Sequence, residues 1–175
     1  MTPPLPSDVA RRVREGSLEA LEQLYRATRE DLFGLAYRLT LDEAEAGDVV
    51  HDVFVGLPDA LRHYEERGQL LAWLRRVTAR VSLQRLRANT RRSVRDGVYL
   101  SQRGGIAMSA DIQLSVTDAL ARLPAGLRAV VVLKELEGMT HGEIAKTLGI
   151  TAAASRLRLW RGLERLRHLW GEEER

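Results

Sequence analysis

Between Ser17 and Leu39, Leu18, Leu21, Tyr25, Thr28, Leu32, Leu35, Ala36 and Leu39 recur at the spacing of one buried helix face. A shorter helix, Asp8 to Glu15, precedes it, with Ser7 as its N-cap and Gly16 as its stop. Thr40 to Asp42 break the pattern. Asp42 and Glu45 stand at the spacing of a capping box and open the next helix, which buries Ala46, Val49, Val50, Val53, Phe54 and Leu57 and is disturbed or ended by Pro58. The polar segment Arg62 to Gly68 reads as a loop. A further helix is predicted from Gln69 to about Ala88, with Leu70, Trp73, Leu74, Val77 and Val81 inward.

Residues 89–110 lose the periodicity and gather Gly97, Gly104, Gly105 and four arginines, which predicts a flexible basic linker. Helical spacing returns at Asp111 with Ile112, Val116, Ala119, Leu120 and Leu123, stops at Pro124, and resumes from Leu127 to Glu137. The expected architecture is all-α: a helical domain over residues 7–88, a linker over 89–111 and a second helical domain over 112–170. No internal repeat is visible.

In the second domain Thr140 and Glu143 form another capping-box pair, Gly149 stands at a tight turn, and Thr151 can cap a last helix running to about Leu169. A capped short helix, a glycine turn and a longer basic helix have the layout of a helix-turn-helix. Advancing about 100° per residue, Ala152, Ser155, Leu159, Leu163, Leu166 and Trp170 face inward on that last helix. Ala153, Ala154, Leu157, Arg161 and Glu164 face outward, flanked by Arg156, Arg158 and Trp160. Small residues at the start of the outer face allow close approach to a DNA groove, where Arg161 can reach a guanine edge or a phosphate and Leu157 a thymine methyl.

The chain has 175 residues and a net charge of +3, but that charge is unevenly spread. Residues 1–66 carry net −7, residues 67–110 net +9 and residues 111–175 net +1. Two different partners are implied, one basic and one polyanionic. Arg76, Arg80 and Arg87 fall within about 40° of one another on the Gln69–Ala88 helix, away from Arg75. With no acidic residue between Arg67 and Arg95, this ridge is self-repulsive until an anion covers it. On the helix after Asp42, Asp48 and Asp52 align four residues apart beside His51 and Val55, a face that rejects DNA and accepts a basic protein surface.

The absence of cysteine removes disulfides, thiolate metal sites and cysteine nucleophiles. No signal segment and no 18-residue apolar run point to membrane insertion or export, so a cytoplasmic setting is expected. The pair His51-Asp52 resembles a phosphohydrolase metal motif, but that site needs a histidine upstream and none precedes position 51. Phosphate-binding glycine loops, a nucleophile elbow and paired-histidine zinc motifs are missing as well, so no catalytic residue, metal or cofactor is expected.

The N-terminal half carries Leu24-Tyr25, Leu35-Ala36-Tyr37-Arg38-Leu39-Thr40, Asp48-Val49-Val50-His51-Asp52-Val53-Phe54, Ala72-Trp73-Leu74 and Arg85-Leu86-Arg87. The C-terminal half carries Leu123-Pro124, Glu135-Leu136-Glu137-Gly138, Glu143-Ile144-Ala145, Leu148-Gly149-Ile150, Arg156-Leu157-Arg158-Leu159 and Arg161. In this order the chain resembles an extracytoplasmic-function (ECF) sigma factor of bacterial RNA polymerase, with sigma region two, a linker and sigma region four. A stand-alone helix-turn-helix transcription regulator is the rival. The resemblance implies that Asp48, His51, Asp52 and Phe54 dock on the clamp of core RNA polymerase. It implies that His63, Tyr64, Arg67, Arg76 and Arg80 face the minus-ten element of promoter DNA and trap an unpaired base. Thr151, Ala153, Ala154, Arg156, Leu157, Arg158, Trp160 and Arg161 would enter the major groove of the minus-thirty-five element, and an anti-sigma factor covers these surfaces in many members. Arg80, His51, Pro58 and Leu70 depart from the residues common in the family, and Ser155 replaces a core valine, with its hydroxyl expected to bond back to its own helix.

Overall fold

The computed structural model describes residues 7–64, 70–95 and 115–171, and every regular element among them is helical. The chain divides into two units, Met1–Arg85 and Leu86–Arg175. In the first, α1 (Val9–Arg14), α2 (Leu18–Thr40), α3 (Glu43–Val55), α4 (Leu57–Ala60) and a 3₁₀ turn, Leu61–His63, pack with the start of α5 (Leu70–Arg95). Their shared core includes Val13, Leu24, Leu32, Val49, Leu57 and Leu74. The Ser17 hydroxyl accepts from the Ala20 amide and starts α2, as the sequence predicts.

Several boundaries differ from the sequence reading. Asp8, not Ser7, precedes α1, and its carboxylate pairs with Arg11 at 3.6 Å instead of capping the helix. At the head of α3 Asp42 accepts from the Glu45 amide at 3.0 Å, while its own N–H turns to the Thr40 hydroxyl and the Glu45 carboxylate to Arg85. Pro58 does not end a helix. It lies in the first turn of α4, where a missing N–H costs no bond, and the chain bends at Gly56 instead. Helix α5 runs two turns beyond Ala88 to Arg95, because Ala88 to Arg95 contains neither glycine nor proline and three good helix-forming arginines. A bidentate Arg75–Asp31 pair, at 2.8 and 2.7 Å, ties α5 to α2.

The second unit contains α6 (Val116–Ala121), α7 (Ala125–Val131), a π-helical turn Val132–Leu136, α8 (His141–Leu148) and α9 (Ala152–Gly171). Ser115 and Asp118 form a capping box for α6 of which hydrophobic periodicity gives no sign. Helix α7 starts directly after Pro124, two residues ahead of Leu127. Thr140 and Glu143 form the predicted box on α8, and Gly149 ends that helix with φ +65°, a left-handed conformation that favours glycine. Helices α7 and α9 approach so closely that a Cβ at Gly162 would lie 2.6 Å from Val131 Cγ2. Arg128, on which the hydrophobic pattern is silent, is buried and donates to the Leu123 carbonyl at 3.1 Å; burial lowers its pKa.

Candidate functional site

Helix α3 buries Ala46, Val49, Val50 and Val53 and so turns Asp48, His51, Asp52 and Val55 to solvent. Phe54 does not share that surface. It is 8% exposed and meets Tyr25 edge-to-face at 4.9 Å, so it anchors α3 on α2 and reaches the surface only in the wall of an adjoining cleft. Beside the acidic face lies a shallow cleft of about 330 Å³ lined by Leu21, Tyr25, Gly47, His51, Phe54, Val55 and Pro58. Charged and apolar surface are therefore contiguous.

The acidic face is also braced from within. Arg85 of α5 donates to Glu45 at 3.0 Å, to Asp48 at 2.6 Å and to Asp52 at 2.6 Å. The Glu45 bond is the largest influence raising the Arg85 pKa, against the opposing effect of burial, so the guanidinium stays charged. The Asp48 and Asp52 side chains remain 64% and 47% exposed, so Arg85 orients them without covering them. Sequence spacing places Asp48 and Asp52 together but gives no sign of Arg85, whose partners lie 33 to 40 residues away.

On α5, Leu74, Thr78, Ala79, Ser82 and Leu83 are buried, while Arg80, Gln84 and Arg87 are exposed and Arg76 is half-buried, so the predicted ridge lies on the outward side. His63 is exposed at the end of the 3₁₀ turn. Tyr64 is half-buried against Trp73 of α5, with ring centroids 5.1 Å apart. Arg67 and most of the predicted linker lie outside the described residues.

In the second unit the rotation predicted for α9 is observed. Ser155 and Leu166 are buried, and Arg156, Leu157, Trp160 and Arg161 are exposed, with Leu157 at 47% and Trp160 at 59%. Thr151 caps the helix by accepting from the Ala154 amide at 3.1 Å; Ala153 is exposed and Ala154 half-buried. Arg158 is half-buried and leans toward Gly126 of α7, on the flank of the outer face. The Ser155 hydroxyl does not bond its own helix. It meets His141 Nδ1, in the first turn of α8, at 2.9 Å. The His141 pKa is lowered, first by burial and then by Lys134 and Arg156, with Glu135 opposing.

A histidine whose pKa is lower folded than unfolded is protonated first in the unfolded chain. Its contribution is complete above the ordinary value of 6.5 and declines as pH falls through it. Thermal melting is expected to show a smaller loss of stability between about pH 7.5 and pH 5.5 for His141→Gln than for the parent chain. Parallel pH profiles would contradict this assignment.

Two family models match the chain: Sigma-70 region 2 over residues 24–92 and Sigma-70, region 4, over residues 113–166. The first spans α2 to α5 and the second contains the helix-turn-helix. Together they account for more than two thirds of the chain in the order the motifs predict. The chain belongs to the ECF group of RNA polymerase sigma factors. This sigma factor is 28% identical to the ECF RNA polymerase sigma factor SigE of Mycolicibacterium smegmatis over 87% of its own length, and it spans 62% of that protein. It is 29% identical to the RNA polymerase sigma factor CarQ of Myxococcus xanthus, with 93% of this chain and 96% of that protein covered. Its fold matches the sigma factor RpoE solved in complex with the anti-sigma factor NepR from Bartonella quintana, with a TM-score of 0.64, 22% identity and coverage of 88% and 98%. Among the described residues no group of three or more histidine, aspartate and glutamate side chains could hold a metal ion.

Proposed function

We propose that this sigma factor binds core RNA polymerase through the outer face of α3 and carries it to promoters, where α5 engages the minus-ten element and α9 the minus-thirty-five element. The observation that carries this reading is the pairing, in one unit, of an exposed carboxylate face on α3 with an exposed arginine face on α5. Opposite charges on separate faces suit a bridge between a basic protein surface and nucleic acid. Asp48, His51, Asp52 and Val55 form the protein contact, and Phe54 supports them from beneath. His63, Arg67, Arg76 and Arg80 form the minus-ten surface, backed by Tyr64.

On α9, Arg156, Leu157, Trp160 and Arg161 meet the major groove, and Thr151, Ala153 and Ala154 let the helix N-terminus approach the backbone. Melting draws on binding free energy as unpaired bases are trapped, so the protein performs no hydrolysis and needs no cofactor. It acts in the cytoplasm, where polymerase and chromosome meet, and an anti-sigma factor that masks α3 and α9 would silence it. A stand-alone regulator gives no reason for the acidic face.

Run-off transcription with purified core polymerase on genomic promoter fragments tests the proposal. Discrete transcripts that require both proteins are expected; promoter binding equally tight without core enzyme would favour the stand-alone regulator. Within α9, Arg161→Ala is expected to weaken binding to the preferred minus-thirty-five sequence by about 1–3 kcal/mol, the range of a direct base contact. The same loss on every sequence would make Arg161 a phosphate contact only.

A further inference from the structure

We infer that Arg85 is a positioning residue for polymerase docking: from α5 it holds the Asp48 and Asp52 carboxylates of α3 in the arrangement a cationic partner meets. The inference rests on the docking reading above and adds to it a residue on a different helix.

Three carboxylates gathered on one face of α3 repel one another. Left alone, Asp48 and Asp52 would rotate apart, and each would be ordered only when the partner arrived. Arg85 removes that freedom. Its Nη2 bonds Asp48 Oδ2, its Nη1 bonds Asp52 Oδ2, and its Nε bonds Glu45 Oε2, so one planar guanidinium sets all three. Each aspartate commits Oδ2 to Arg85 and keeps Oδ1 for an incoming donor. The Arg85 side chain itself is only 29% exposed, which leaves the outermost surface anionic.

The position of Arg85 on α5 gives the arrangement a second property. Arg85 lies about 180° around the helix from Arg76 and about 140° from Arg80. One side of α5 therefore grips the polymerase-facing helix while the other is offered to the promoter. Ordering the carboxylates also fixes the helix that carries the DNA ridge.

Removing Arg85 makes the face more negative, so simple charge attraction predicts tighter docking, whereas positioning predicts weaker docking. The opposite signs make the test decisive. In the full-length chain, Arg85→Gln is expected to lower affinity for core polymerase about tenfold, the scale set by ordering two side chains on binding. In an Asp48→Asn, Asp52→Asn background the same change should have no further effect on affinity, although it still lowers the melting temperature through Glu45. A merely structural role would lower affinity equally in both backgrounds and overturn the inference, as would unchanged or increased affinity in Arg85→Gln. Should Arg85→Gln fail to fold, Arg85→Lys, which keeps the charge without the fork, is expected to lose about threefold, and parental affinity would overturn the inference. If the parent chain does not bind core polymerase, the docking reading falls and this inference with it; if it binds and Arg85→Gln binds as well, only this inference falls.

Discussion

Replacing Asp48 and Asp52 together by lysine is expected to lower affinity for core polymerase by at least about a hundredfold. Truncating one member of a desolvated charge pair costs about 2–5 kcal/mol, and reversal adds repulsion against a basic surface. At about 1.4 kcal/mol per tenfold, even the lower end for two residues exceeds that factor. The two lysines would also face Arg85 and release it, so α3 loses its tie to α5 at those positions. Because both side chains are about half exposed or more, the lost ion pairs cost the fold little in water. Equilibrium binding to core enzyme, checked against circular dichroism melts, separates the two effects. A folded variant that binds like the parent would remove α3 from the docking surface.

The second large effect is expected at Gly162, where Gly162→Val should destabilise the second unit by about 3 kcal/mol or more. A Cβ there would overlap Val131 Cγ2 and stand in ordinary contact with Leu127 Cβ, 3.8 Å away, both of α7. Val131 is buried and β-branched, so it has no free rotamer into which to retreat. Overpacking of a filled contact costs about 1–3 kcal/mol, and the two added methyl groups enlarge the overlap. The gain in helix propensity from replacing glycine, under about 1 kcal/mol, offsets only part of this. Gly162→Ala should lie between the two. Denaturant unfolding of the chain carrying each variant measures the order, and a Gly162→Val protein as stable as the parent would mean that α7 and α9 do not pack as described.

Much of this architecture is legible in the amino-acid sequence alone. Periodicity finds the helices because each buries one continuous stripe, and the wheel for α9 places Ser155 inward and Leu157 and Arg161 outward as observed. The Thr140–Glu143 box and the glycine turn at Gly149 are legible because their chemistry is local. What escapes is contact between distant polar residues. The link from Arg85 to its three partners carries no periodic signal, and Arg128 reads as a surface arginine until the Leu123 carbonyl is seen beside it. Phe54 fits both a docking surface and a core, and only its contact with Tyr25 places it. Pro58 is ambiguous because proline both ends helices and begins them, and the bend at Gly56 selects the second role.

The His141–Ser155 bond has a consequence for sequence preference. A 2.9 Å hydrogen bond from the inner side of α9 to α8 tolerates little twist of α9 about its own axis. Turning the helix by one residue would swing Arg161 roughly 100° off its heading. The phase of α9 is thus pinned from its hidden side, and under the proposed promoter reading the choice of bases is written partly in a serine that never sees them.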